Sequence, residues 1–408
     1  MQTFQCTQCA NLVFFDSQVC VNCGSPLGFD PESLTLLALQ SIEAPHPSAL
    51  NLEDAVNDTT APTAPVGDSP LIVQSHWQLN NAMGFQIHTQ QPVGGYKFCK
   101  NHIDAHGCNF LLAASDSHDY CLSCRQTETI PNLSNLSNLH AWITIENAKR
   151  RLFYSLAKLG LKNTQHPPKY DFLEDIEGQD PVMTGHANGL ITLNIAEADD
   201  AERTRRRINL HEPYRTLLGH LRHEVGHFYW DQFFIRDEWA LAKFRLLFGD
   251  ERLDYSQALQ QHYQTPQGDW QNNYVSSYAS AHPWEDWAET WAHYLHLIDL
   301  QETASSYQLQ FAIHGTQGVL CTQVENPFTT FAQAPQDDSP QDISHLLNQS
   351  MGISLVLNSL NRSLGHNDAY PFALSSPVLQ KLGFVHNAIR RYAHQKNRAT
   401  LPDQPAVC

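Results

Sequence analysis

The stretch Leu221-Arg222-His223-Glu224-Val225-Gly226-His227-Phe228 constrains this chain more than any other. It places His-Glu-x-x-His inside an apolar segment with helical spacing. Histidines at i and i+4 stand one above the other on a single helical face. Two imidazoles so placed can hold one zinc ion. Glu224, beside the first of them, can reach a water on that metal as a general base. The motif predicts a helix over about 210–235 and points to a zinc-dependent hydrolase, with a peptidase as the first expectation.

A catalytic zinc site needs a third protein ligand and one open position. The metzincin pattern would place Gly and then His downstream, where this chain has Trp230 and Phe233, so that class is excluded. A second helix offers the alternative, in Tyr278-Ala279-Ser280-Ala281-His282-Pro283-Trp284-Glu285-Asp286-Trp287-Ala288-Glu289. Pro283 suits a first helical turn, where a missing N–H costs nothing. Glu285 and Glu289 share a face beside the small Ala288. One carboxylate can bind zinc, and the other can hydrogen-bond a ligating histidine and fix its tautomer. His293 and His296 follow on the same helix and are expected to be core or surface residues.

At these residues the chain resembles the gluzincin metallopeptidases, whose pattern is His-Glu-x-x-His followed by a helix carrying Glu-x-x-x-Asp/Glu. The resemblance implies that Glu285 is the third ligand and Glu289 the partner that orients a ligating histidine. Lethal-factor-like members carry a tyrosine near the position of Tyr278, which implies that its hydroxyl stabilises the oxyanion; Tyr274 competes for that role. More widely, three features resemble one bacterial family of zinc-binding metallopeptidases with an N-terminal zinc ribbon. They are the cysteine pairs at the front, Leu218-Gly219-His220-Leu221-Arg222-His223-Glu224-Val225-Gly226-His227, and His282-Pro283-Trp284-Glu285-Asp286-Trp287-Ala288-Glu289-Thr290-Trp291-Ala292-His293-Tyr294. The likeness covers most of the chain apart from an insert at about 30–70.

Eight of the ten cysteines fall in two sets. Cys6-x-x-Cys9 and Cys20-x-x-Cys23 form two knuckles of a short zinc ribbon, with a hairpin through Leu12-Val13-Phe14-Phe15 spanning them. Cys99, Cys108, Cys121 and Cys124 form a second four-thiolate set, although His102, His106 and His118 lie among them and could replace a ligand. Four protein ligands leave no open position, so both sites read as structural. Segments this small fold only with such help. Cys321 and Cys408 have no partner at useful spacing. The expected complement is one catalytic and up to two structural zinc ions.

The formal charge of −17 counts against a general nucleic-acid or anionic-membrane surface. Arg203, Arg205, Arg206 and Arg207 form a local basic cluster, expected to pair with Glu197, Asp199, Asp200 and Glu202. No apolar run reaches the roughly eighteen residues of a membrane span. The start lacks a basic region followed by an apolar core, which makes the cytoplasm the expected location. The expected partners are a peptide or protein substrate, and a protein docked on the ribbons.

The organisation expected is α+β: small N-terminal zinc-ribbon modules followed by a mainly α-helical gluzincin-like domain with a small β-sheet. Residues 1–30 are the ribbon and 31–70 a linker or insert, rich in Pro, Ala, Thr and Asp over about 43–70. Residues 71–128 are the second cysteine module, 129–397 the peptidase-like domain and 398–408 a tail. Within the domain, Leu139–Leu159 has helical spacing with Gly160 as its cap. Leu190-Ile191-Thr192-Leu193-Asn194-Ile195 has strand character. By the resemblance, that strand edges the cleft and pairs with an extended peptide. The aromatic residues Phe228, Tyr229, Trp230, Trp284, Trp287 and Trp291 are expected to pack the core. A zinc-stabilised interaction module, an inactive relative of a peptidase, and a hydrolase of non-peptide amides stand as alternatives.

Overall fold

The structure is a computed structural model that describes residues 1–42, 76–85, 91–162, 165–203, 216–315, 318–332, 343–370 and 374–400. Two compact units emerge, one of Phe4–Cys121 and the other of Met1–Thr3 with Leu122–Cys408. Their mixture of small sheets and long helices is the α+β class expected.

In Phe4–Cys121, β1 (Phe4–Gln5) and β2 (Leu12–Val13) form the antiparallel hairpin of the first ribbon. An antiparallel five-stranded sheet runs in sequence order through β3 (Leu27–Asp30), β4 (Thr35–Ser41), β5 (Trp77–Leu79), β6 (Tyr96–Phe98) and β7 (Leu111–Ala113). Strand β4 falls inside the stretch expected as an insert. Its Leu36, Leu37, Ala38 and Leu39 are buried, and Leu37 and Leu39 pack with Tyr96, Phe98 and Leu111. Burial of that apolar surface makes the segment part of the sheet. The Pro- and Thr-rich remainder, 43–70, lies outside the described residues, as do Leu71-Ile72-Val73. A short helix, α1 (Lys100–Ala105), follows Cys99.

The second unit carries a four-stranded sheet of order β10-β11-β9-β8. Strand β8 (Thr127–Thr129) leads into α2 (Leu136–Lys158) and then β9 (Lys169–Leu173), which lies parallel to β8. A helical crossover is what a parallel pair needs. Helix α2 ends as the sequence predicts: Gly160 takes φ +73°, Leu161 N donates to Leu156 O and Gly160 N to Ala157 O. Those two bonds make the Schellman pattern, which favours glycine at the left-handed position.

Strand β11 (Leu190–Asn194) is the one expected to pair with a peptide. It is an interior strand, parallel to β9 on one side and antiparallel to β10 (Gly185–Ala187) on the other. Both of its edges are occupied, so that expectation is corrected: β10 lies at the margin of the sheet. Ile195 leaves the strand and starts a 3-10 turn capped by Asn194.

The rest of the unit is mainly helical. Helices α3 (Leu217–Phe234), α4 (Glu238–Phe248), α5 (Tyr255–Gln264) and α6 (Pro283–Ser306) precede a hairpin of β12 (Gln310–Gly315) and β13 (Gly318–Gln323). Helices α7 (Pro327–Ala332), α8 (Ser344–Ser363) and α9 (Ser376–Thr400) follow. Among the described residues, no helix is long and apolar enough to cross a membrane. Of the basic cluster, Arg205, Arg206 and Arg207 lie outside the described residues, and so does Cys408; Arg203 pairs with Asp200.

Candidate metal centre

The centre is built where α3 packs on α6. Thr216 caps α3 by accepting from Gly219 N at 2.9 Å. His282 caps α6 by accepting from Trp284 N at 3.1 Å, with Pro283 in the first turn. Glu285 and Asp286 sit in that same turn, where the helix dipole favours negative charge. The two helices approach closely because residue 226 is glycine. Gly226 faces Ala288 and Trp291, and its carbonyl accepts from Trp287 Nε1 at 2.9 Å.

This packing brings His223, His227 and Glu285 together, all buried. His223 Nε2 lies 3.2 Å from His227 Nε2. Glu285 Oε2 lies 3.0 Å from His223 Nε2 and 3.5 Å from His227 Nε2. Three donors on one tetrahedral zinc, at roughly 2.0–2.2 Å from it, would stand about 3.3–3.5 Å apart. The triangle present fits that ion. His223 Nδ1 donates to Glu289 Oε1 at 2.6 Å, and Ser276 Oγ donates to Glu289 Oε2 at 2.6 Å. Glu289 thus fixes the tautomer that turns His223 Nε2 toward the centre.

The electrostatics follow from that convergence. Burial pushes the Glu285 carboxyl up, but the His227 and His223 imidazoles override it and hold it well below the usual range. Burial likewise opposes the Glu289 shift, yet its bond to His223 brings it down to about 2. Burial pulls His223 down, and its hydrogen bonds to Glu285 and Glu289 win, raising it well above an ordinary histidine.

Glu224 is buried next to the ligands, with Oε1 3.2 Å from His220 Nε2. Of the two candidate tyrosines, Tyr278 lies with its ring 5.9 Å from that of His223. The Tyr274 ring instead faces Lys381 Nζ at 4.4 Å. Lys381 reaches across from α9 to donate to Asp286 Oδ2 at 2.6 Å and to Asn273 O at 2.8 Å. His293 is buried with Nδ1 2.5 Å from the Tyr370 hydroxyl, and His296 stacks on the same ring at 4.5 Å.

Several neighbours were not foreseen. Tyr255, on α5, donates to Glu285 Oε1 at 2.7 Å and shares a hydrogen bond with Tyr278. His186, on β10, lies parallel to the His227 ring at 6.3 Å, and burial lowers its pKa to about 4. Trp284 covers the His227 ring at 4.0 Å and is only half-buried, unlike the fully packed Trp287 and Trp291. Glu197, expected to pair with arginines, accepts from Thr184 Oγ1 at 2.7 Å and lies 2.5 Å from His220 Nδ1, while Arg203 donates to its backbone carbonyl.

The eight cysteines form the two clusters their spacing predicts, Cys6, Cys9, Cys20, Cys23 and Cys99, Cys108, Cys121, Cys124. Four thiolates on a zinc at ~2.3 Å would stand about 3.8 Å apart, whereas a disulfide would bring two sulfurs to ~2.05 Å. Cys6–Cys23, Cys9–Cys20 and Cys108–Cys121 measure 3.7, 3.6 and 3.8 Å. His102 turns its Nδ1 to the Cys108 carbonyl at 2.7 Å, and His118 Nδ1 lies 2.8 Å from Asp116 Oδ1.

Cysteine clusters ahead of a buried His-His-Glu centre define a zinc-binding protein with a ribbon, and the comparisons agree. A zinc-ribbon domain profile matches residues 3–61 and 73–135. The chain belongs to the family described as "Putative zinc-binding metallo-peptidase", whose profile matches residues 138–388. Its relatives include uncharacterized proteins of Mycobacterium bovis and of two strains of Mycobacterium tuberculosis. Each is 33% identical over 401 residues, covering 96% of this chain and 96% of the relative. No solved structure matches the chain at a significant level.

Proposed function

We propose that this protein is a zinc-dependent peptidase whose metal is held by His223, His227 and Glu285. The observation that carries the proposal is the convergence of those three donors with the Glu224 carboxylate beside them. Zinc bound there would supply a Lewis acid and would lower the pKa of a water toward about 7. Glu224 takes a proton from the attacking water and delivers it to the departing amine. The Tyr278 hydroxyl donates to the developing oxyanion, and Tyr255 orients Glu285 and Tyr278 through its hydroxyl. Glu289 holds His223 in place. An extended peptide pairs with β10, next to His186 and the half-buried face of Trp284.

In this proposal the two cysteine clusters each hold one structural zinc, for three ions in all. Thiolates kept unoxidised suit a reducing compartment such as the cytoplasm.

The test is turnover of a peptide library by the zinc-loaded protein, with and without chelator, and with Glu224→Gln. Turnover is expected to vanish in the variant while three zinc ions remain bound. Full activity in Glu224→Gln would remove the role given to that residue, and a wild type that cleaves nothing would remove the proposal.

A further inference from the structure

The general base reads as a carboxylate on a helix, yet its surroundings contain a second carboxylate and a histidine between the two. His220 lies on α3 one turn before Glu224, with Nε2 3.2 Å from Glu224 Oε1. Its other nitrogen, Nδ1, is 2.5 Å from Glu197 Oε2. Glu197 belongs to the 3-10 turn after β11 and is itself buried. Its second oxygen accepts from Thr184 Oγ1 at 2.7 Å, and Thr184 Oγ1 in turn accepts from Asn194 N at 3.1 Å. A chain of contacts thus leads from the sheet to the base.

We infer that His220 is a positioning residue: clamped by Glu197, it fixes the Glu224 carboxylate in the orientation that meets a ligand on the metal. Two carboxylates flank one imidazole, one at each ring nitrogen. Without His220, Glu224 would keep its place on the helix and lose the contact that selects one rotamer. A buried carboxylate at the wrong angle costs activity even when the metal is bound correctly, because catalysis depends on pre-set geometry. The inference rests on the reading of Glu224 as the group that faces the ligand, and it adds His220, Glu197 and Thr184 as the apparatus behind it.

The experiment is a double-mutant cycle read by binding as well as by turnover. Acetohydroxamate is the probe: it binds zinc through two oxygens and gives a proton to an adjacent carboxylate. Its affinity for the full-length, zinc-loaded protein is measured calorimetrically for wild type, His220→Ala, Glu224→Ala, the double variant and His220→Gln, with zinc content determined for each. His220→Ala is expected to weaken the probe about 10-fold or more with three zinc ions retained. Gln at 220 should restore most of the affinity, since its amide can donate from the position of Nε2. In the Glu224→Ala background the His220 change should have no further effect, because a residue acting through another is silent once that other is gone.

Equal weakening in both backgrounds, loss of the zinc at the His-His-Glu centre, or no effect of His220→Ala overturns the inference. So does a wild type that holds zinc but does not bind the probe. Should His220→Ala fail to fold, Glu197→Ala tests the same clamp from its far end with the same expectation. A protein that shows the coupling but cleaves no peptide would refute the peptidase proposal and leave this inference standing. Peptide cleavage without the coupling would do the reverse, and among active variants kcat should fall while KM holds.

Discussion

Gly226 lies between the two ligand histidines, and a single methyl added there should be felt at the metal. A Cβ at 226 would stand 3.0 Å from Trp291 Cδ1, 3.2 Å from Trp291 Cγ and 3.2 Å from Ala288 Cα. Carbon atoms prefer roughly 3.5–4.0 Å, so α3 and α6 would have to part by several tenths of an ångström. Such overpacking costs about 1–3 kcal/mol. Alanine returns about 0.8–1.0 kcal/mol, because glycine is a poor residue in a helix interior. The net expectation for Gly226→Ala is a loss of up to about 2 kcal/mol, seen as a Tm lower by up to about 3 °C. The effect on the metal should be larger than the effect on the fold. Ala288 sits between Glu285 and Glu289, so a displaced α6 carries both carboxylates away from His223. A 10- to 100-fold loss of zinc affinity at this centre is expected, with both cysteine clusters unaffected. Competition against a chelator of known affinity, beside a thermal scan, measures both quantities. A variant with an unchanged or higher Tm and undiminished zinc affinity would refute the claim that the glycine sets the ligand spacing.

Two further expectations concern groups that support the centre and its unit. Glu289→Ala removes the acceptor that holds His223 Nδ1 and should lower zinc affinity about 10- to 100-fold, measured by the same competition, while Glu289→Gln, which keeps an acceptor oxygen, should lose less. His386 is buried against the Tyr294 hydroxyl, and burial lowers its pKa to about 3. Since the unfolded chain takes up this proton near pH 6.5, the stability linked to His386 is complete above that pH. It is lost as pH falls toward 3, at no more than ~1.4 kcal/mol per unit. Thermal scans between pH 7 and 4.5 should show a smaller loss in His386→Asn, which keeps a polar atom near Nδ1; an equal loss would assign the acid sensitivity to other groups.

The parts legible from sequence are those in which one short segment carries its own geometry. His223 and His227 are one turn apart, as are Glu285 and Glu289, so each pair can be placed on a helical face without knowing the fold. Pro283 marks the start of α6, and Gly160 the end of α2. Cysteine spacing announces both clusters. What escaped were contacts made between segments. Tyr255 reaches Glu285 from a different helix, and nothing near it in sequence marks that role. His220 stands in plain view on the motif helix, but its meaning depends on Glu197, delivered by the turn after β11. Leu190–Asn194 reads as the strand that edges the cleft because a strand's own residues do not say how many neighbours it has. Strand β10, only Gly185–Ala187, is too short to show a period. Thr35–Ser41 reads as part of an insert because a Leu-rich run beside a Pro- and Thr-rich tract gives no alternation, Leu36–Leu39 being buried on both faces.

The bond from Lys381 to Asp286 also bears on when the centre can come into being. Residues reach the folding chain in order of synthesis. His223 and His227 come first, Glu285 follows, and the ammonium that neutralises the fully buried Asp286 arrives nearly a hundred residues later. Until then Asp286, at the start of α6, lacks the counter-charge that its buried place in the finished fold requires. Zinc captured early would meet a half-made socket, whereas zinc captured after α9 docks would meet a finished one. Helix α9 is therefore a timing element: maturation of the centre waits until Lys381, nearly a hundred residues after Asp286, has been made and docked.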